Sequence, residues 1–307
     1  MVESTRGWDG LLAVCGYETR GRAVAETYAA NVEKMAILIP PRSEFHAFRE
    51  NRRLFETLQA AAFPSGHQGI YAAITELVLD IPLDRVAKII VDYSAMDRDV
   101  IAEVVDVLAE VSQIRRFSVT FAYSVGDFET ALAEDQTFIT VNRPALSLGG
   151  WSADPYSPLI GVVGLGYESD LALAALESLE PAQTYLFEPL GADGRFDEIV
   201  WRRNESLLME NIERVASYSV SQPLSLYRSL MSFAGAMAAE ARVVFVPLGP
   251  KVFALSAALA ALNHPNSASM WRVSPGEARR PRDRRATGEV YSFDVSFHER
   301  LALVADS

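Results

Sequence analysis

Residues 11–18, Leu-Leu-Ala-Val-Cys-Gly-Tyr-Glu, and residues 159–168, Leu-Ile-Gly-Val-Val-Gly-Leu-Gly-Tyr-Glu, decide the fold. Both stretches are apolar runs that end in the same tripeptide. The two copies of this tripeptide are Gly16-Tyr17-Glu18 and Gly166-Tyr167-Glu168. A short continuous apolar run predicts a strand that is buried on both faces, as in a parallel sheet. We therefore predict two similar halves, each of which opens with a strand and the same turn.

Strands and helices alternate along both halves. In the first half the hydrophobic periodicity predicts strands over residues 11–15, 35–39, 86–91 and 117–123, and helices over residues 20–32, 43–61, 70–79 and 97–111. In the second half it predicts strands over residues 159–163, 184–187, 243–246 and 269–273, and helices over residues 170–179, 196–218, 224–239 and 251–262. The predicted fold class is α/β, with two Rossmann-like parallel-sheet halves.

The halves also match in detail, which indicates an internal pseudo-repeat. Gly16 and Gly166 are 150 positions apart, and two further strand ends match in the same order at a nearly constant offset. These pairs are Ile37-Leu38-Ile39-Pro40-Pro41 with Tyr185-Leu186-Phe187-Glu188-Pro189, and Ile89-Ile90-Val91-Asp92 with Val244-Phe245-Val246-Pro247. Duplication followed by divergence is the preferred explanation.

The predicted domains are a first half over residues 1–125, a linker over residues 126–158, and a second half over residues 159–307. The linker is rich in Gly and Pro, and one extra strand is predicted in it over residues 137–141. The second half ends in a C-terminal extension. In this extension residues 291–297 alternate apolar and polar side chains, which predicts an edge strand.

Composition excludes several classes of protein. The 307 residues carry a formal net charge of −12, whereas general nucleic-acid binders need a basic face that displaces counterions. No stretch reaches the roughly 18 uninterrupted apolar residues of a membrane-spanning helix, and residues 1–9 lack the pattern of a signal peptide. The single cysteine, Cys15, excludes an internal disulfide framework. We expect a cytoplasmic protein that makes no membrane contact, and a small anionic ligand is compatible with this charge.

The Gly-Tyr-Glu turns are candidate sites, because open parallel α/β sheets bind ligands at the carboxyl ends of their strands. Their glycines allow a tight turn and a close approach of ligand. Glu18 and Glu168 are candidates to accept hydrogen bonds from a base or ribose, or to act as a general base. Alternatively, each glutamate simply lies in the first turn of a helix, where the helix dipole favours it. All six residues of the two turns are ligand-binding candidates: Gly16, Tyr17, Glu18, Gly166, Tyr167 and Glu168.

The segment Pro247-Leu248-Gly249-Pro250-Lys251 joins a predicted strand to a predicted helix. Gly249 allows close approach of a ligand, and Pro250 suits the first turn of a helix. Lys251 then lies at the positive end of the helix dipole, which suits a phosphate group. The alternative is a solvated lysine at a helix start. The Gly-x-Gly-x-x-Gly spacing of dinucleotide sites is absent from both turns, so we expect no nicotinamide, flavin or other cofactor.

The segment Asp92-Tyr93-Ser94-Ala95-Met96-Asp97-Arg98 occupies the corresponding place in the first half. Either Ser94 or Asp97 is expected to cap the next helix, and Asp92 and Arg98 are ligand-binding candidates. Arginines cluster at this edge, and Asp170 stands in the second half where Arg20 stands in the first. The clustered arginines are Arg20, Arg22, Arg42 and Arg98.

Other reactive side chains show little pattern. The four histidines, His46, His67, His264 and His298, lack metal-ligand spacing, so no metal site is predicted. Cys15 is expected to be a buried apolar residue. Residues 279–285 contain five arginines in seven positions. This run either contacts an anionic ligand or a nucleic acid, or it is a solvated loop that balances the acidic remainder of the chain.

The Gly249-Pro250-Lys251 turn, followed by a helix of small residues, resembles the ligand loop of CRISPR-associated Rossmann-fold (CARF) sensors. Two such units in one chain look like the related SAVED domains. The resemblance implies a cyclic oligonucleotide bound across the seam between the two units. The seam residues would lie in segments 16–20, 92–98, 166–170 and 249–251. The chain departs from the pattern at Pro250, and it lacks room for a fused effector, which implies a separate effector protein, a homodimer or degradation of the ligand here.

Three functions remain open on this evidence. The first is a binding protein or sensor for a phosphate-bearing, nucleotide-like ligand in signalling or phage defence. In this function Lys251 holds phosphate, Glu18 and Glu168 contact sugar or base, and Arg20 and Arg98 balance charge. The second is an enzyme of the phosphodiesterase or nucleosidase type, with Glu18 or Glu168 as the base. The third is a non-catalytic subunit of a multiprotein complex that docks through the C-terminal strand.

Overall fold

A computed structural model of the chain confirms the α/β class. The residues that it describes are 7–41, 44–128, 139–145, 147–150, 156–167, 169–191, 193–274 and 281–298. These residues form two compact units. The first unit contains the described residues up to Met96, the segment Asp106–Val125 and the described residues from Asp283 onward, and the second contains Asp97–Val105 and the described part of Gly126–Arg282.

The strands and helices follow the predicted alternation. In chain order the strands are β1 (Trp8–Val14), β2 (Val32–Ile39), β3 (Ala61–Pro64), β4 (Ala87–Asp92), β5 (Phe117–Gly126), β6 (Val141–Pro144), β7 (Leu159–Gly164), β8 (Gln183–Leu190), β9 (Val215–Ser219), β10 (Arg242–Pro247), β11 (Ala268–Ser274) and β12 (Ala286–Phe297). The α-helices are α1 (Ala23–Tyr28), α2 (Phe48–Thr57), α3 (His67–Val78), α4 (Arg98–Val111), α5 (Ser169–Leu179), α6 (Gly194–Glu210), α7 (Pro223–Met237) and α8 (Lys251–Asn263).

The first unit has one six-stranded sheet in the order β12-β5-β4-β1-β2-β3. Strands β1 to β5 pair in parallel, and Leu11 at the centre lies in register with Met35 of β2 and Ile90 of β4. Contacts between β5 and β12 run in opposite chain directions, because Thr120 bonds to Asp294 whereas Val125 bonds to Thr287. The sheet is therefore parallel except at this edge.

Strand β1 is covered on both faces, which explains its apolar sequence. Leu11, Ala13 and Cys15 belong to a buried cluster with residues of α1 and α2. On the opposite face, a Cβ atom at Gly10 would lie 3.0 Å from Leu77 of α3. Since successive side chains point to opposite faces of a strand, a strand with helices on both sides has no polar face. The expected burial of Cys15 is confirmed, and burial raises the pKa of its thiol to about 11.

The second unit repeats this arrangement, with a sheet in the order β6-β11-β10-β7-β8-β9. When β7 to β11 are taken as copies of β1 to β5, the two strand orders are identical. Val163 and Leu165 pack with α5 and α6 on one face. A Cβ atom at Gly164 would lie 2.5 Å from the ring of Phe253 in α8, which covers the other face. The predicted pair of Rossmann-like halves is confirmed.

Each half of the sequence is followed by a strand that joins the sheet of the other half. Strand β6 follows β5 in sequence, yet it pairs antiparallel with β11. Strand β12 follows β11, yet it lies beside β5. The edge strand predicted over residues 291–297 is present and longer. It belongs to the first sheet, however, and not to a C-terminal extension of the second half. The short segment Asp97–Val105 also groups with the second unit and not with residues 1–125.

Two short edge strands were not predicted. Residues 43–61 were expected to be one helix, but α2 spans Phe48–Thr57, and Gln59 with φ 57° turns the chain into β3. Residues 196–218 were likewise expected to be helical, but α6 ends at Glu210 and β9 follows. These edge strands are stabilised by pairing with β2 and β8, which are remote in sequence from them.

Other boundaries shift by a few residues. The predicted helix over residues 20–32 is a 3₁₀ turn, Thr19–Arg22, then α1 and a second 3₁₀ turn, and β2 already begins at Val32. The strand predicted over residues 137–141 is β6, Val141–Pro144, and residues 129–138 lie outside the described residues, as do Arg42 and Ser43. His67, predicted in a loop, begins α3. In the described part of the chain, no helix is long and apolar enough to cross a membrane.

Candidate site at the switch points of the two sheets

Each sheet has a point at which the order of its strands reverses. From β1 the chain proceeds to β2 and β3 on one side, then returns to place β4 and β5 on the other. From β7 it proceeds in the same way to β8 and β9, then to β10 and β11. Open α/β sheets bind ligands at the carboxyl ends of the two strands that flank such a point. The four predicted site segments follow β1, β4, β7 and β10, so each flanks a switch point of its own sheet.

In the first unit, Glu18 and Arg20 form a buried network. The Arg20 Nε atom donates to Glu18 Oε2 at 2.6 Å, and Nη1 donates to the Tyr123 hydroxyl at 3.1 Å. The Arg20 side chain is only 3% exposed and that of Glu18 16% exposed. Burial alone would lower the pKa of Arg20, but the Glu18 carboxylate and Tyr123 raise it above its usual range. Arg20 is thus a buried cation with protein partners.

The segment that follows β4 is held by its own hydrogen bonds. Asp92 Oδ1 accepts from the Ser94 backbone N–H at 2.9 Å, and Ser94 Oγ accepts from the Ser124 backbone N–H at 2.7 Å. The ring of Tyr93 stacks on that of Tyr123 with centroids 5.2 Å apart. Burial, reinforced by Tyr123 and Asp92, raises the pKa of Tyr93 well above its usual range. These polar groups are therefore fixed at the switch point of the first sheet.

In the second unit, the turns after β7 and β10 are in backbone contact. A Cβ atom at Gly166 would lie 2.5 Å from the Leu248 carbonyl oxygen, and one at Gly249 would lie 2.1 Å from that of Leu165. The backbone N–H groups of Leu248 and Gly249 both donate to Gly164 O at 2.9 Å. Both glycines are required by this contact. It brings Gly166 and the turn that precedes Lys251 together.

Arg98 holds the carbonyl groups of the same turn. Its Nη2 atom donates to Leu248 O at 2.6 Å and to Gly249 O at 2.9 Å. The carbonyl oxygens of Leu248 and Gly249 therefore both accept from the Arg98 guanidinium. The expected cap at Asp97 is confirmed, because its Oδ1 accepts from the Val100 N–H at 2.9 Å. Arg98 thus positions the turn, whereas the sequence had suggested a direct role in balancing ligand charge.

Lys251 is the first residue of α8, as predicted, and Pro250 precedes the helix in an extended conformation. No side chain of the described residues caps this helix start. Lys251 is half-buried, and the helix behind it is buried from Val252 to Ala261. The positive end of a helix dipole and an ammonium group therefore lie together at the carboxyl end of β10, which is the combination that favours an anion.

The tyrosines of both turns pack against aromatic rings. Tyr17 lies edge-on to Phe45 with centroids 6.2 Å apart, and Tyr167 lies 5.9 Å from Phe196. Both tyrosines border the buried clusters of their units. Glu168 lies outside the described residues, and so do the side chains at positions 169 and 170. The contrast between Asp170 and Arg20 therefore stays a prediction from sequence.

Sequence reasoning missed two buried asparagines that hold the Gly-Tyr-Glu turns. Asn51 of α2 donates through Nδ2 to Gly16 O and Glu18 O, both at 2.9 Å. Asn204 of α6 donates to Gly166 O at 2.9 Å and to Val200 O at 2.8 Å. Both residues are almost fully buried. An asparagine in each half at a spacing of 153, close to the repeat offset of 150, was the available signal.

The arginines at the end of β11 are neutralised by acidic partners. Arg272 and Arg143 lie opposite each other on β11 and β6. Both form ion pairs with Asp99 Oδ2, at 3.0 Å from Arg143, and Arg272 also lies 3.7 Å from Asp97. The positive charges of Arg143 and Arg272 are therefore largely balanced by Asp97 and Asp99.

Two further observations on the described residues bear on the location of a site. The described residues contain no group of three or more histidine, cysteine, aspartate or glutamate side chains that could hold a metal ion. A cavity of about 190 Å³ in the second unit is lined by Leu159, Arg242 and Trp271 among others. Because Leu159 and Arg242 are the first residues of their strands, the cavity lies toward the amino ends of the strands, away from the turns.

Comparison with known proteins adds little. No protein-family model matches the chain, and no curated protein does. The chain is similar to the solved structure of a Type III CRISPR defence DNA nuclease that is activated by cyclic oligoadenylate, with 11% identity and a TM-score of 0.48. The match covers 85% of this chain and 64% of that one, so this chain spans just under two thirds of the nuclease. A match at this level carries no argument about function.

Proposed function

We propose that this protein is a binding protein, or sensor, for a phosphate-bearing, nucleotide-like ligand. The observation that carries the proposal is the second unit's switch point, where Lys251 begins α8. The turn that contacts Gly166 leads into this helix start, at the place where sheets of this kind bind ligands. The turn is held by Arg98 and by Gly164 O, so little ordering is needed when a ligand binds.

The switch point of the first sheet carries polar groups of its own, namely Glu18, Asp92 and Ser94. A carboxylate has about four lone-pair sites, so Glu18 can accept a hydrogen bond from a base or ribose in addition to its protein donors. The resemblance to CARF and SAVED sensors makes cyclic oligonucleotides the first ligands to test, with a separate effector protein or a homodimer as the output.

The contacts of Glu18 favour a binding role over that of a general base. A base must be free to take a proton, whereas the Glu18 carboxylate is paired at 2.6 Å with a buried guanidinium. Glu168 is then the remaining candidate for the enzymatic alternative. Incubation of the protein with cyclic oligonucleotides and nucleosides, followed by chromatography, separates the two functions. Turnover that is lost in Glu168→Gln would establish the enzyme.

Mass spectrometry of the small molecules released from freshly purified, denatured protein tests the proposal directly. We expect a phosphate-bearing compound, present in amounts that follow the protein through purification. A protein that carries no such compound, and that binds none of a panel of linear and cyclic oligonucleotides in calorimetry, would contradict the proposed function.

Lys251→Ala tests the residue on which the proposal depends. We expect this change to weaken binding of the identified ligand at least tenfold, about 1.4 kcal/mol, with no change in the thermal melt. Lys88→Ala is a matched control, because Lys88 is one of only three lysines in the chain and is exposed on β4. Equal affinity of the Lys251→Ala and wild-type proteins in calorimetry would remove Lys251 from the site.

A further inference from the structure

The end of the arginine-rich run has a defined place in the first unit. The described part of the run, residues 281–285, leads directly into β12. Asp283, Arg284 and Arg285 belong to the first unit, and we call these three residues the arginine strap. The sequence left two explanations open for them, namely contact with an anion and a solvated loop.

The strap is anchored to the Gly-Tyr-Glu turn. Asp283 accepts from the backbone N–H of Thr19 at 2.6 Å and from its hydroxyl at 2.7 Å. The carbonyl of Arg284 accepts from the backbone N–H of Arg20 at 2.9 Å. Beyond the strap, the Thr287 hydroxyl donates to Val125 O at 3.4 Å, at the end of β5. The chain is therefore fixed on both sides of Arg284 and Arg285.

These anchors carry the strap across the switch point of the first sheet. The strand order is β12-β5-β4-β1, so a chain that leaves the turn after β1 and reaches the end of β5 must pass the end of β4. Two strand spacings measure about 10 Å, and the four residues from Asp283 to Thr287 span at most about 14 Å. The strap thus crosses in a nearly extended form, beside the segment Asp92-Tyr93-Ser94.

Arg284 differs from Arg20, which is another cation near the switch point of the first sheet. Arg20 is 2% exposed and bonded to Glu18 and Tyr123. The guanidinium of Arg284 is half-buried, and within the described part of the chain it forms no hydrogen bond or ion pair. Its acidic neighbour Asp283 is occupied by Thr19. A guanidinium with available donors therefore lies on an immobilised backbone, in a chain whose net charge is −12.

We propose that the arginine strap forms an anion site at the switch point of the first sheet, with Arg284 as the residue that contacts a phosphate group. The planar fork of a guanidinium matches two phosphate oxygens. The fixed backbone lowers the entropy that binding would cost. The inference rests on the proposed function for the identity of the ligand, but the site itself is argued from the first unit alone.

The test uses inorganic pyrophosphate as the probe, titrated into the full-length protein by calorimetry at low ionic strength. We expect Arg284→Ala to weaken pyrophosphate binding at least tenfold and Arg284→Lys to recover part of the loss. Arg53→Ala is the matched control, because Arg53 is an exposed arginine of α2 in the same unit. The thermal melt should not change, since Arg284 anchors the strap through its backbone carbonyl. Hydrogen exchange should show pyrophosphate-dependent protection in residues 19–22.

Three outcomes would overturn the inference. Equal losses in Arg284→Ala and Arg53→Ala would show a general charge effect. Loss in Lys251→Ala with Arg284→Ala unchanged would place the anion in the second unit, and the proposed function would stand without the strap. Absence of pyrophosphate binding to the wild-type protein would also remove the strap site, and the released-ligand measurement would then decide the proposed function separately.

Discussion

The two Gly-Tyr-Glu turns share their sequence and the asparagine that holds them, but their surroundings differ. A Cβ atom at Gly16 would meet only side chains at ordinary contact distances, Ala95 at 3.5 Å and Val14 at 3.8 Å. At Gly166 it would lie 2.5 Å from the backbone of Leu248. The same tripeptide is therefore kept for different reasons. In the first unit the surroundings of Gly16 leave room for a side chain. In the second unit, Gly166 is required because two turns are in contact there.

The charges at the two switch points have diverged further. The first unit buries its cation, Arg20, against Glu18, whereas the second places Lys251 at a helix start that no described side chain caps. A buried ion pair is costly to break, because the remaining charge would be left without a partner. The comparison indicates that the two halves share their backbone support and differ in the charged groups at their switch points.

Gly166→Ala and Gly16→Ala form the strongest test of the comparison. We expect Gly166→Ala to lower the free energy of unfolding by about 3 kcal/mol, because backbone must move to admit the methyl group. Gly16→Ala should cost less than about 1 kcal/mol, since its methyl group meets only side chains. Urea denaturation measures both values, and hydrogen exchange locates the change.

Gly194→Ala is the control for this pair, because a Cβ atom at Gly194 would meet nothing within 4 Å. It should leave stability unchanged or raise it slightly, since alanine favours a helix. If Gly16→Ala proved as harmful as Gly166→Ala, the two turns would not differ in the way described.

The asparagines provide the second test. Asn51→Ala removes bonds to two carbonyls of its turn, so we expect a loss of about 2 kcal/mol in the free energy of unfolding. Asn204→Ala removes one bond to its turn and one to its own helix, for which we expect about 1 kcal/mol. Asn263→Ala is the control, because Asn263 bonds only to Leu259 O of its own helix. A larger loss for Asn204→Ala than for Asn51→Ala in denaturant melts would reverse the comparison.

The smallest expected effect is that of Glu188→Gln on stability, and this effect depends on pH. Glu188 occupies the position in the second half that Pro40 occupies in the first. Burial raises the pKa of Glu188, the Ser217 hydroxyl opposes the shift, and Asp197 adds to it. A carboxyl whose pKa is raised on folding opposes folding when it is ionised, so this cost is present at neutral pH and disappears as the pH falls through the folded pKa.

We therefore expect Glu188→Gln to raise the Tm at pH 7 by an amount on the order of 1 °C, because the side chain is only partly buried. The difference from the wild-type protein should vanish toward pH 4. Glu205→Gln, at an exposed position of α6, should show no such pH dependence. A Tm difference that is constant between pH 4 and pH 7 would exclude ionisation of Glu188 as its cause.

The central strands were predictable because they are apolar throughout. Strands β1, β4, β7 and β10 carry runs that periodicity identifies without tertiary information. Strands β3 and β9 were missed because they are short edge strands. The alanines at positions 60–62 favour a helix in isolation, and only pairing of β3 with β2 makes them extended.

The strand ends at the switch points were predictable from sequence, but the contacts of their side chains were not. The strand ends that flank each switch point follow from the order of the elements and the rule for parallel sheets. The partners of Arg20 and Arg98 do not follow, because Tyr123 lies 103 residues from Arg20 and Leu248 lies 150 residues from Arg98. Their arginines were therefore expected to balance ligand charge, and they were found to hold the protein's own groups.

The sequence by itself determined two α/β halves, their internal repeat and the turns at their central strand ends. Apolar period and local turn chemistry are properties of neighbouring residues, so they can be read without the fold. Only the tertiary structure decided which sheet receives each edge strand, which glycine is required, and that the arginine strap crosses the first Gly-Tyr-Glu turn. These features depend on contacts between residues up to 264 positions apart, such as the backbone bond from Arg20 to Arg284. The pattern of neighbouring residues does not encode such contacts.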